Sequence, residues 1–152
     1  MTFLGSSIPS NVVRQVEMWG LVNPDTASKQ IQATFDGSAE ARLAAVSFIN
    51  VDQSSPPGPF VCNAGTGAQT SLSVGSSLGG LVLDAIACGK TNAPVAVAAD
   101  QTERWSSDGG ATVWGAGSTR SGLSAVQVGW SLSSSCDWAA GGISIRRAPP
   151  AP

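Results

Sequence analysis

Four carboxylates stand where acid–base chemistry could use them: Glu17, Asp84, Glu103 and Asp137. Cleavage of a glycosidic bond needs two carboxyl groups facing one cleft, one as acid and the other as base or nucleophile. In an extended chain Asp84 shares a face with Val82 and Ile86, which aims it toward a buried or concave surface. Glu17 shares a face with Trp19 and Leu21, and a carboxylate beside an aromatic ring suits a sugar site. The competing role for Asp84 is structural: it accepts hydrogen bonds from backbone amides or from an arginine such as Arg104 and pins a loop.

Other chemistries are narrowed by what the sequence lacks. It has no His, which removes Ser-His-Asp and Cys-His catalysis, His-ligated zinc and imidazole pH switching. It has no Tyr, which removes tyrosine nucleophiles and acids. Cys62, Cys88 and Cys136 have no metal-ligand spacing, and no metal site is expected from them. They allow one disulfide plus a thiol, three thiols or pairing between chains, and sequence alone does not choose a pair. A carboxylate next to a thiol raises its pKa, so Cys136-Asp137 makes a poor nucleophile. No cofactor is expected. Calcium stays an open alternative on Asp100, Glu103 and Asp108, although their spacing is not that of an EF-hand loop and acidic residues at turns commonly form Asx turns.

Five tryptophans, at 19, 105, 114, 130 and 138, dominate the aromatic inventory. Exposed indoles would form a stacking platform for sugar rings. Trp130 lies on a strictly alternating inward face and belongs to the core. Trp105 and Trp114 flank the turn Asp108-Gly109-Gly110 and are the candidate ligand-binding pair, with packing across the interior as the alternative.

The elements that must position these groups are strands. The 152-residue chain has the length of one domain, and 42% hydrophobic residues suffice for a core. Its dominant apolar period is two. Strands are expected at 12–22, at 29–35 with Ile31, Ala33 and Phe35 inward, and at 42–50 as a buried central strand. After a long loop at 51–68, further strands are expected at 69–74, 79–87, 95–99, 101–106, 112–117, 124–132 and 137–146. About nine or ten short strands with frequent turns and no helix predict an all-β, two-sheet antiparallel β-sandwich spanning residues 1–147, followed by a Pro-rich tail at 148–152. Only 12% of residues are charged, so the 22 Ser and 9 Thr must supply much of the polar surface. The basic residues form no stripe, which argues against nucleic acid. No apolar run approaches bilayer length, and residues 1–6 lack the pattern of a signal peptide.

Several phrases resemble a repeated jelly-roll-like module of large bacterial surface and secreted proteins. They are Val16 to Pro24, Ile31 to Gly37, Ala45 to Phe48, Val51 to Gln53, Leu81 to Ala85, Gln101 to Trp105, Gly115 to Ser118 and Asp137 to Ala139. Gly20 stands where that family commonly has Tyr, and the three Cys are unusual for it. The resemblance implies an extracellular or particle-surface location, and implies that the chain starts inside the domain, without its first strands. A sandwich lacking strands exposes an edge, so a homo-oligomer is expected through residues 1–11, including Phe3, Leu4 and Ile8, and strand 12–22. The expected function is a non-catalytic surface or adhesive module that binds glycans. The alternative is a small glycosidase using two of the four carboxylates.

Overall fold

The computed structural model describes residues 1–7, 13–55, 57–89, 93–96, 98–108 and 112–150. Among these residues the structure is all β, in two antiparallel sheets and without helix. Strands β1 (Thr2–Ser7) and β2 (Val16–Gly20) form the small sheet. The large sheet contains β3 (Val61–Gly75), β4 (Leu81–Gly89), β5 (Val95–Ala96), β6 (Thr102–Ser107), β7 (Val113–Ser121) and β8 (Ala125–Ile145). Its order is β3-β8-β4-β7-β6, with β5 paired to the first half of β8.

The large sheet folds over on itself. Strands β3 and β8 pair along their whole lengths, but the register jumps between Gly67↔Cys136 and Gln69↔Ser131. The extra residues on β8 form a bulge, which bends a strand pair sharply. Residues 136–145 of β8 continue into β4, β7 and β6, while residues 125–132 turn back over that layer. The core proves the arrangement. Trp130 and Leu132 from the first half of β8 pack with Ile86, Cys88, Ala116, Trp138 and Ala140 from the main layer. Leu72, Val74, Val126 and Val128 close against Val82. A Cβ at Gly142 would lie 3.0 Å from Leu72 Cδ2 and 3.1 Å from Val74 Cγ2, so the layers meet there with no room for a side chain.

Alternation in β4 explains why the main layer can be covered on both faces. Val82, Asp84, Ile86 and Cys88 are buried toward the fold-over, and Leu81, Leu83, Ala85 and Ala87 are half-buried on the opposite side. The β1–β2 sheet covers part of that opposite side. Val16 and Met18 are buried, and Met18 packs with Ile143, Ile145, Leu4 and Phe60. Added Cβ atoms at Gly5 and Gly141 would come within 2.3 and 2.4 Å of the Phe60 ring, so paired glycines open the slot that this ring fills.

Several sequence expectations are corrected. Residues 29–35 and 42–50 are not strands. Ile31 is 42% exposed and Phe35 53%, because no strand among the described residues pairs with theirs. The stretch instead belongs to a long excursion. Asn23 N–H donates to Gln53 Oε1 at 2.7 Å at its base, and Glu40 accepts from Thr112 N–H at 2.7 Å midway. The expected strand 12–22 is regular only over Val16–Gly20, and Val12 and Ile8 lie outside the described residues. The expected loop at 51–68 already becomes β3 at Val61: Gly65 and Gly67 read as loop, yet Gly65 lets the Trp138 ring lie 3.4 Å from where its Cβ would be. The separate strands 124–132 and 137–146 are one strand bent in the middle, and β1, over residues not expected as a strand, brings the count among the described residues to eight. Trp130, Val126, Val128 and Leu132 are buried as their alternation implied.

The fold-over makes a contrast between two glycines. Gly142→Val should destabilise the protein by about 1–3 kcal/mol through overpacking. Gly75→Val, where an added Cβ meets nothing within 4 Å, should stay within about 0.5 kcal/mol of wild type. Urea unfolding of the two variants measures both.

Candidate functional site

The outer face of β1–β2 gathers aromatic and polar groups at the surface. Val16 and Met18 point inward, so their alternating neighbours Glu17 and Trp19 point outward. Register places Phe3 opposite Trp19 and Ser6 opposite Glu17. The Phe3 and Trp19 rings lie 4.9 Å apart between centroids, tilted by 58°, and they are 49% and 52% exposed. Alongside them runs a polar line. Gln15 Nε2 donates to Glu17 Oε1 at 2.7 Å and to Ser6 Oγ at 2.9 Å, and Trp19 Nε1 donates to Glu17 Oε2 at 3.3 Å. Each hydrogen bond restrains a side chain that stays open to solvent. Beneath the platform, Val16 N–H donates to the buried Ser7 Oγ at 2.9 Å, which helps to lock the strand pair.

The other sequence candidates go elsewhere. Asp84 is 1% exposed and sits between the layers. Trp130 Nε1 donates to its Oδ2 at 2.6 Å, and Ser118 Oγ donates to its Oδ1. Gln101 extends the network: its Nε2 donates to Ser118 Oγ at 2.9 Å, and its Oε1 accepts from Gly129 N–H at 3.1 Å. Burial pushes the Asp84 carboxyl up to about 6, against the opposing pull of the Ser118 and Trp130 hydrogen bonds. The carboxyl is held by Ser118, Trp130 and its own backbone amide, and Arg104 is not among its partners. Arg104 Nε donates instead to Thr119 Oγ1 at 2.7 Å.

Glu103 is exposed on β6, in register with Ser118. Asp137 lies near the bend of β8 and accepts from Thr66 Oγ1 at 2.6 Å. Asp84 and Glu103 both stand in register with Ser118, one on each side of β7, but Asp84 is enclosed and Glu103 is exposed, while Glu17 and Asp137 lie on other strands. Two surface cavities, of about 280 and 380 Å³, adjoin at Phe48, Ile49 and Leu81, and no carboxylate lines either.

Trp105 and Trp114 are both half-buried rather than an open pair. Trp105 lies across β7, where a Cβ at Gly117 would come within 2.3 Å of its Nε1 and one at Gly115 within 2.9 Å of its ring. Trp114 packs against the core cluster, and its Nε1 donates to Ser106 Oγ at 2.8 Å. The Gly109-Gly110 part of the turn between them lies outside the described residues. Asp100 is engaged by Arg120 Nε at 2.6 Å, and among the described residues no three Asp, Glu or Cys side chains converge to hold a metal ion. Phe3, Gln15 and Ser6 were missed as site residues. The signal available was the alternation of Glu17 with Trp19, which marks an outward face but does not say which strand lies beside it.

No family model, characterised protein or solved structure matches this chain.

The raised carboxyl at Asp84 fixes a pH dependence. Below about 3.8 the group is protonated in both states, so the folded state bears no penalty. As pH rises toward about 6 the unfolded chain ionises while the fold holds its proton, and stability falls. Above that range the loss is complete, roughly 3 kcal/mol at 1.36 kcal/mol per pKa unit. The difference in unfolding free energy between wild type and Asp84→Asn should shift by about 2 kcal/mol in favour of the variant between pH 4 and pH 6.5. The comparison cancels Asp52, which two Ser54 hydrogen bonds hold at about 2 and which favours the opposite trend.

Proposed function

We propose that this chain is a non-catalytic, extracellular surface module that binds glycans on the outer face of β1–β2. The observation that carries the reading is the exposed Phe3–Trp19 pair bordered by Glu17, Gln15 and Ser6. The C–H face of a pyranose packs on an indole by dispersion and by release of water from both surfaces. A carboxylate and an amide beside the ring supply an acceptor and a donor for sugar hydroxyls. The groups are held before a ligand arrives, so less side-chain entropy is lost on binding. A surface poor in charge and rich in Ser and Thr, together with the resemblance to bacterial surface modules, supports the location.

Binding is favoured over hydrolysis by the placement of the carboxylates. A glycosidase needs two carboxyls about 5–10 Å apart on one cleft. Glu103 stands across β7 from Asp84, but Asp84 is enclosed with its carboxyl bonded to Ser118 and Trp130; Asp137 accepts from Thr66, and Glu17 lies across the main layer from the buried Asp84.

Self-association belongs to the same reading. Both β1 and β2 pair only with each other among the described residues, and Leu21, Val22, Ile31 and Phe35 are exposed beyond them. A second copy adding strands at this edge would satisfy both features. Light scattering should give a dimer or larger species, and a strictly monomeric protein at high concentration would remove this part of the reading.

Titration with a panel of neutral and acidic oligosaccharides tests the site. Trp19→Ala should weaken the best binder at least tenfold, and Glu17→Gln severalfold, with thermal stability nearly unchanged since both side chains point outward. Undiminished binding in Trp19→Ala and in Phe3→Ala would overturn the site.

A further inference from the structure

The three cysteines are separated by the faces of the main layer. Cys62 is exposed on the edge strand β3, opposite Gly141, on the side that carries Phe60. Cys88 and Cys136 are on the other side. Cys88 is fully buried, pairs in register with Trp138, and belongs to the cluster of Ile86, Trp130 and Trp138. Cys136 stands two residues before Trp138 on the same face of β8, half-buried against that cluster. The two thiols are within hydrogen-bond contact of each other. Cys62, on the opposite face of the layer, has no route to either sulfur.

We propose that Cys88 and Cys136 are a disulfide-forming pair, and that Cys62 is the odd thiol. The oxidant is a small-molecule or protein disulfide. The Cys136 thiolate attacks one of its sulfurs, forms a mixed disulfide and expels the first thiolate. The Cys88 thiolate then attacks the Cys136 sulfur, expels the second thiolate and closes the protein disulfide. Two protein thiols lose two electrons and two protons, and the oxidant becomes two thiols. Cys136 is the entry point because it is the more accessible of the two, and strand alternation turns the neighbouring Asp137, held by Thr66, to the other face of β8. Burial pushes the Cys88 thiol up to about 12, with Cys136 adding to the rise, so closure is slow in the folded protein and faster before the core closes.

The bond would fasten the end of β4 to β8 beside its bend, where the two layers separate. It is distinct from the glycan platform and does not depend on it.

The full chain refolded in a mixture of reduced and oxidised glutathione provides the test. Its mass should fall by about 2 Da, with one reactive thiol left under denaturing conditions. Proteolytic mapping should join the Cys88 peptide to the Cys136 peptide. Cys62→Ser should keep the link and Cys136→Ser should abolish it. Reduction should lower the Tm by roughly 5–15 °C. Three thiols persisting in that buffer, or a link that runs through Cys62, would overturn the proposal. Cys62→Ser keeps the test valid even if Cys136→Ser fails to fold, because Cys62 lies outside the core.

Discussion

The hydrogen bond from the Trp130 indole to the Asp84 carboxyl joins the two layers of the folded-over sheet, and much of the architecture can be followed outward from it. A buried indole N–H and a buried carboxyl are each costly without a partner. Placing them against each other requires Trp130 to reach β4 from the opposite layer, so β8 must bend between Ser131 and Cys136. The bulge that makes this bend consumes the run Leu132–Ser135, whose serines sit mostly exposed at the corner. Once the bend is set, Leu72, Val74, Val126 and Val128 are carried over Val82 and Gly142. Full burial of each such side chain contributes about 1.5–3 kcal/mol, so the apolar contacts supply the energy and the polar pair supplies the alignment. Gln101 and Ser118 complete the pairing, which draws the segment before β6 and the middle of β7 into the same network.

The Phe3–Trp19 platform depends on the opposite face of the main layer. Phe60 fills the slot between Gly5 and Gly141 and sets how closely β1 approaches β8. With Val16 and Met18 fixed inward, strand alternation leaves Glu17 and Trp19 no choice but to face solvent. The site is therefore a consequence of packing on its reverse side, and its rings stay exposed because the interior already has its aromatic filler. A site built on paired strands is also held more precisely than one carried on a loop.

Much of this was legible wherever one strand explains itself. Alternation in 124–132 identified Val126, Val128, Trp130 and Leu132 as core, and Asp84 as facing inward with Val82 and Ile86. The all-β class followed from the same period. What stayed hidden was pairing. Ile31, Ala33 and Phe35 have the pattern of a strand, yet a strand exists only where another edge meets it. Conversely, Gly65 and Gly67 look like loop residues, but both are paired within β3, Gly65 opposite Trp138 and Gly67 opposite Cys136. The serine run at 131–135 signals a turn, and its effect is a bend within a continuous pair of strands rather than an end. Trp105 was placed at the surface for want of the glycines on β7 that receive it, since neighbours across strands are not adjacent in sequence.

The excursion from Leu21 to Asn50 shows how few directional bonds can hold a long segment to a finished core. Closing a loop costs free energy that grows only logarithmically with its length, so contacts at its base and waist do most of the restraining. Asn23 with Gln53, Val51 with Arg147, and Ala148 N–H to Asn50 C=O secure the base. Glu40 with Thr112 and Arg42 with the Asp108 carbonyl secure the waist. Asn50 takes a left-handed backbone, φ 57°, at the return to the sheet, a conformation that Asn tolerates better than most residues. None of these bonds covers Ile31, Phe35 or Leu43, which remain in water at a cost of about 25 cal/mol for each Å² of apolar surface that could be buried. The charges at 25 and 29 are spent on each other in an exposed ion pair. What is left is an exposed surface with strand-like alternation and little charge, the kind of edge that the chain's low charge does least to guard.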